Sequence, residues 1–233
     1  MRKQIKLLED FGDYEYVAGL DEVGRGCGAG PVVTAAVIMP RGFKSPLIRD
    51  SKKLSPKQRN EAYQLIMDNA IAISCQAGSV SDIDEIGINS TTFKTMVKNI
   101  DEVSEILSKS YSIGETVWDQ EKQLRMVKTS NREPLKIEAI LVDGTEWIKD
   151  SDIKVTLVPK GDDTYTCIAA AAIVAKVRRD DYMCKLHEIH PEYNWCKNKG
   201  YLTPDHIEAL KNHGSNRYHR KQYVKNFVKK LVD

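Results

Sequence analysis

The sequence has no apolar run long enough to span a bilayer, and its basic start gains acids within ten residues, in "MRKQIKLLEDFGDYEY", so neither membrane insertion nor secretion is expected. No C-x-x-C pair occurs among Cys27, Cys75, Cys167, Cys184 and Cys196, which are also odd in number. Both features argue against a zinc or disulfide framework and for free thiols in a reducing compartment, so the cytoplasm is the expected location. Net charge is nearly absent, +2 from 35 basic and 33 acidic side chains, so attraction to phosphate must come from where the charges sit. Internal repeats, low-complexity blocks and a P-loop G-K-[ST] are missing as well.

What is there can build a core: 233 residues, 41% hydrophobic, most simply a single domain. "YVAGLDEV" and "VVTAAVIM" read as strands on either side of a glycine cluster. "SPKQRNEAYQLIMDNA" reads as a helix with Ser55 as N-cap and Pro56 in the first turn. A strand "IAISCQAGSV" follows, then a long helix "INSTTFKTMVKNIDEVSEILSK", and residues 112–134 form a polar stretch with no readable pattern. "KIEAILVDG" and "IKVTLVPKGDD" supply two more strands, and from Tyr165 onward the chain reads as mostly helical. The tail "RYHRKQYVKNFVKKLVD" is basic, and Val224, Phe227, Val228 and Leu231 recur at helical spacing, which predicts an amphipathic helix docked on the domain. The fold class is therefore α/β with a helical C-terminal region.

Three strands, "VAGLDEVG", "AILVDG" and "TLVPKGDD", each end in a carboxylate beside glycine. Strand ends are where functional groups gather in α/β sheets, so these acids can converge. Converging carboxylates cannot all stay ionised at neutral pH without cations, and hard oxygen ligands select magnesium or manganese over zinc. Neighbours on a strand point to opposite faces, so Asp21 and Glu22 share a site only if pairing ends or the strand kinks there. The stretch Gly24 to Ala29 also satisfies a loose G-x-G-x-x-A nucleotide fingerprint, but Pro31 and β-branched residues follow where a helix is required.

The blocks "AGLDEVGRG…GPVVTAAV", "DSKKLSPKQR", "LVDG", "KGDD", "AAAIVAKVRRD" and "NKGY", in this order and spacing, resemble the type 2 ribonuclease H family, ribonuclease HII. The resemblance spans nearly the whole chain and implies a ribonuclease H-like mixed sheet flanked by helices, one catalytic domain over 1–233, with roughly 180–233 a helical portion that holds nucleic acid. It implies an endoribonuclease that cuts the RNA strand of RNA/DNA hybrids and cleaves 5′ to single ribonucleotides in duplex DNA, leaving 3′-hydroxyl and 5′-phosphate ends. The family's acids fall on Asp21, Glu22, Asp143 and Asp162, with Asp163 the fallback for the last place. They are expected to be both catalytic and metal-binding, holding two Mg2+ or Mn2+ ions. Gly24, Arg25 and Gly26 are expected to let backbone groups sense a 2′-hydroxyl, and Tyr201 to pack on the sugar beyond an RNA-to-DNA junction. Lys52 and Lys53 are expected on substrate phosphates, with Lys176 and Arg179 as weaker candidates for the same task. The five histidines read as surface or packing residues. A monomer with no membrane partner is expected.

The sequence departs from the family pattern at Cys27, where proline is usual, at Ala169 and Ala172, where serines are, and at Leu202, where a small residue is. The alternative reading is therefore a nucleic-acid-binding protein of the same fold with lost or narrowed activity. A third reading, the related type with a G-K-G block, is disfavoured by Arg25.

Overall fold

In the computed structural model, the structure describes residues 7–109, 134–147 and 152–228, together with the backbone of 116–119 and 124–127. Strands β1 (Val17–Val23), β2 (Val32–Ile38) and β3 (Ala72–Gly78) form an antiparallel meander, and β1 then pairs in parallel with β6 (Ala139–Asp143), which pairs in parallel with β7 (Lys154–Val158). The order across the sheet is β3-β2-β1-β6-β7, a mixed sheet as expected. Between β3 and β6 lie α2 (Val80–Ile86), α3 (Ile88–Lys109) and a separate antiparallel pair, β4 (Thr116–Asp119) with β5 (Leu124–Val127). The pair falls inside the stretch without a readable pattern, and the rest of that stretch up to 133 lies outside the described residues. Helix α1 (Pro56–Asn69) precedes β3, and α4 (Thr166–Ile189), α5 (Trp195–Asn198), α6 (Pro204–His213) and α7 (Lys221–Val224) complete the helical C-terminal part.

Local chemistry accounts for these boundaries. Ser55 Oγ accepts from the Gln58 amide while Gln58 Oε1 accepts from the Ser55 amide, a reciprocal cap that starts α1 where the sequence places it. Every residue of β2 is buried because both sheet faces are covered, which explains its unbroken apolar run. On one face α1 and α4 pack with Val33, Ala35 and Val37; on the other α3 packs with Ala18, Leu20, Ala36 and Ile38. The alanines of α4 let it lie directly on β1: a Cβ on Gly19 would stand 2.3 Å from the Cys167 backbone.

Two expectations are corrected. Cys184 and Cys196 form a disulfide, so only Cys27, Cys75 and Cys167 are free thiols. An eleven-residue gap is no recognised motif; the turn after α4 returns the chain so that α5 lies against that helix. The tail helix is also shorter than its periodicity suggests. Val224 is buried, and Phe227 and Val228 pack with Leu210 and Trp195, but α7 ends at Val224; Lys229, Lys230 and Leu231 lie outside the described residues. Among the described residues no helix is long and apolar enough to cross a membrane.

Candidate active site

Parallel pairing of β1 with β6 stops at Leu20↔Val142, whereas β1 stays paired with β2 as far as Val23↔Val33. The two strands part there, and their next residues, Asp21 and Asp143, stand at the mouth of the gap. β1 runs on unbroken, so the room comes from β6 leaving it rather than from a kink. Glu22 falls on the α3 side and lines, with Arg25, Thr92, Phe93, Met96 and Asp143, an open pocket of about 230 Å³. Asp143 Oδ1 accepts from the Gly161 amide at 2.7 Å, which ties the end of β6 to the 3-10 turn Gly161–Asp163. That turn buries Asp162, and Lys52 Nζ stands 3.6 Å from its carboxylate. Lys52 and Lys53 sit in a second 3-10 turn, Ser51–Lys53, capped by Asp50, and Lys53 is bound to Asp163 at 2.6 Å and to Asp50 at 3.4 Å.

Burial pushes the Asp21 pKa well above the ordinary carboxylate range, and the charges of Glu22, Asp143 and Asp162 push it further. Glu22 is raised by burial against the opposing pull of Arg25, whose Nη1 is 3.5 Å away. Asp162 is raised by burial despite Lys52. For Lys52 itself burial lowers the pKa, but Asp162, Asp50, Asp21 and Asp143 together outweigh it and hold the ammonium charged. Acids from four chain segments thus act on one another and on one lysine. Among the described residues, no three of the His, Cys, Asp and Glu side chains are gathered closely enough to hold an ion as they stand. The donor chemistry nonetheless fits a hard divalent cation: carboxylates only, with two of them, Asp21 and Asp162, buried among like charges.

Beyond β1 the chain turns through Gly24 to Pro31. Gly24 has φ +90°, and a Cβ there would meet Arg179 Nε at 2.2 Å, so only glycine fits. Around Gly26 nothing lies within 4 Å of where a Cβ would be, which leaves that backbone open to a ligand. Arg25 reaches Asn89 Oδ1 at 2.7 Å. Tyr201 is 44% exposed, so it is a surface ring and not a buried aromatic. The loop does not open a helix but enters β2, consistent with rejecting the nucleotide fingerprint.

A family model described as Ribonuclease HII matches residues 18–229. The chain belongs to the ribonuclease HII family. It is 40% identical to a ribonuclease HII of Bacteroides thetaiotaomicron over 87% of this chain and 86% of that protein. It is 38% identical to one of Caldanaerobacter subterraneus over 98% and 86%. Its fold is similar to that of a ribonuclease HII from Archaeoglobus fulgidus, solved in complex with PCNA, at TM-score 0.64, 23% identity and 88% and 93% coverage. It is similar as well to a Bst ribonuclease HIII solved with Mn2+, at TM-score 0.59, 18% identity and 91% and 68% coverage. As a ribonuclease HII it is an enzyme, a metal-dependent endoribonuclease of the ribonuclease H class.

Against that family pattern, Asp21, Glu22, Asp143, Asp162 and Lys52 are brought into one electrostatic cluster, and Lys53 stands at its edge, engaged by Asp163. Arg179 does not touch phosphate: it is wholly buried, and Lys176 is paired with Asp180 at 2.8 Å. The signals missed in the sequence are Arg179 and Arg220, both fully buried beneath the glycine loop. Arg220 donates to the carbonyls of Arg25 at 2.8 Å and Gly30 at 2.9 Å. Each sits in a basic run that resembles a solvated face, and nothing in residue type distinguishes it from its neighbours. Two departures, Cys27 and Leu202, fall in the seam between this loop and the Tyr201 block. Cys27 Sγ lies 3.7 Å from Lys199 O, and Leu202 covers Gly28. Ala169 and Ala172 are buried within α4.

Proposed function

We propose that the chain cleaves the RNA strand of RNA/DNA hybrids and cuts 5′ to single ribonucleotides embedded in duplex DNA, with Asp21, Glu22, Asp143 and Asp162 holding two divalent ions, Mg2+ or Mn2+. Bound there, such ions supply an activated water and stabilise the departing 3′ oxygen. The single observation that carries this reading is Asp21, buried at the parting of β1 and β6 with three further carboxylates raising its pKa. Such a cluster is intolerable at neutral pH without outside cations.

The chain's own residues then divide the rest of the work. Lys52, held charged beside Asp162, offers its ammonium to the incoming phosphate. The open backbone at Gly26 admits the sugar edge and lets the loop sense the 2′-hydroxyl. Tyr201 presents an exposed ring to the sugar that follows. Lys53 reaches phosphate only after leaving Asp163, so its contribution is the smaller.

The test is a DNA duplex with one internal ribonucleotide, incubated with Mg2+ or Mn2+ and then with a chelator. Cutting 5′ to the ribose that stops on chelation is expected. Tight duplex binding without cutting would favour the non-catalytic reading.

A further inference from the structure

The glycine loop and the Tyr201 block are separate in sequence but share one seam. The amides of Gly28 and Ala29 donate to Gly200 O at 2.9 and 3.2 Å. Across the same seam lies Arg179. Its Nε donates to Pro31 O at 2.9 Å and its Nη2 to Ala29 O at 3.1 Å, while its Nη1 donates to Lys199 O at 2.8 Å. Three nitrogens of one planar group therefore hold the end of the ribose-sensing loop and the turn just before Tyr201 at a fixed separation. A lysine cannot replace this fork, since its single nitrogen cannot reach both loops in the same plane. Lys199 adopts a left-handed backbone, φ 52°, which is unfavourable for a side-chain-bearing residue and persists only where its surroundings hold it. The Tyr201 side chain is partly exposed and hydrogen-bonds Cys27 of the glycine loop, so its position depends on that loop as well as on its own backbone.

We propose that Arg179 is a positioning residue that sets the distance between the glycine loop and Tyr201, and thereby the enzyme's preference for a ribonucleotide followed by DNA over continuous RNA. This rests on the functional reading above, in which the loop reads the ribose and Tyr201 the next sugar. Being wholly buried, Arg179 touches no substrate. Arg220 provides the contrast, because its side chain grips the glycine loop and lies over the Tyr223 ring but makes no hydrogen bond to the Tyr201 block.

The experiment measures kcat/KM of the full chain, with Mg2+ or Mn2+, on a duplex carrying one ribonucleotide and on a continuous RNA/DNA hybrid. Arg179→Lys is expected to lose about 10- to 100-fold on the first substrate, the scale of an ångström-level misplacement, and far less on the hybrid. Arg220→Lys lowers both together. Combined with Tyr201→Ala, Arg179→Lys adds little further loss, because both act through one contact. Should Arg179→Lys unfold too readily to assay, Gly200→Ala decides. Its added Cβ, at a φ of +81°, would stand 2.4 Å from Ala29 O and 3.1 Å from the flexible end of Met183, and spreads the same two loops while leaving Arg179 itself in place; the same selective loss is expected. Wild-type protein that fails to cut the single-ribonucleotide duplex, or a Tyr201→Ala variant with unchanged preference, overturns the functional reading and this proposal with it. Wild type and Tyr201→Ala behaving as expected, with the seam variants losing both substrates in parallel or adding fully to Tyr201→Ala, overturns this proposal alone.

Discussion

The strand-end crevice and the C-terminal layer both bury charged groups, but they neutralise them in opposite ways. In the C-terminal layer Arg179 and Arg220 are wholly buried, and five backbone carbonyls accept from them, so the chain itself meets every nitrogen of Arg179 and two of the three of Arg220, whose Nη2 has no hydrogen-bond partner. The crevice gathers four acids and answers them with Lys52 and Arg25, both reaching in from exposed positions. Asp21 remains buried among like charges. The first region holds its cations almost wholly on its own backbone and serves to hold shape; the second is left short of positive charge, and that shortage is what a divalent ion and a phosphate backbone can fill.

The most severe way to break this comparison is to remove one acid without disturbing the frame. Asp143→Asn keeps the Oδ1 that accepts from Gly161 and so keeps the link between β6 and the 3-10 turn. It is expected to lower cleavage of the single-ribonucleotide duplex by roughly 10³-fold or more while leaving the circular dichroism spectrum and duplex binding in place. Turnover near the wild-type rate would show that the crevice is not the catalytic centre.

A second prediction sharpens the contrast from the C-terminal side, where neutrality is built in. Trp195 Nε1 donates to His206 Nε2, and the Asn216 amide donates to His219 Nδ1, so each ring accepts on one nitrogen and is neutral. His206 Nδ1 then donates to Tyr201 O, and the two rings meet at 3.2 Å. Burial, with His206 beside it, pushes the His219 pKa from 6.5 down to about 3. A depressed histidine favours the fold above its unfolded pKa and withdraws that contribution as pH falls. Stability should therefore decline from pH 6.5 toward pH 3, approaching about 1.4 kcal/mol per pH unit from this ring. Urea midpoints measured across that range test it: His219→Gln should be less stable at pH 7 but flatter below pH 6.5, and an unchanged slope would rule out His219 as the source.

Much of this was legible before any coordinates. The acids announced themselves because each ends an apolar strand beside glycine, and the Ser55 cap because Ser, Pro and Gln stand at fixed offsets. What stayed hidden depended on partners remote in sequence. Arg179 contacts carbonyls about 150 residues away, and backbone carbonyls leave no trace in a sequence. Cys184 and Cys196 meet because the chain turns back at Pro191 after α4, a fact of packing and not of spacing. Asp21 and Glu22 were expected to share a site if pairing ended or the strand kinked there; pairing with β6 ends while pairing with β2 continues, and the sequence does not tell which edge of a strand loses its partner.

The smallest expected effect asks whether the shortage of positive charge in the crevice is felt by the fold itself. Asp21 has its folded pKa raised above the unfolded value of 3.8, so its burden is absent in acid, where both states are protonated. The burden grows as pH rises from 3.8 toward the folded pKa, because the unfolded chain ionises first, and it is complete once the folded carboxylate too has ionised among its neighbours. At pH 7 in chelator, Asp21→Asn should therefore melt several degrees above wild type, because the amide removes one charge from the cluster and keeps the side-chain oxygen that accepts from the Glu22 amide. Added Mg2+ or Mn2+ should raise the wild-type melting temperature and close the gap, while moving the variant much less, since a cation that binds the folded state alone stabilises it by mass action. Melting curves at pH 7 and pH 4 separate the causes: a difference that persists at both, or that ignores the cation, would mean that Asp21 affects the fold through packing and not through unbalanced charge.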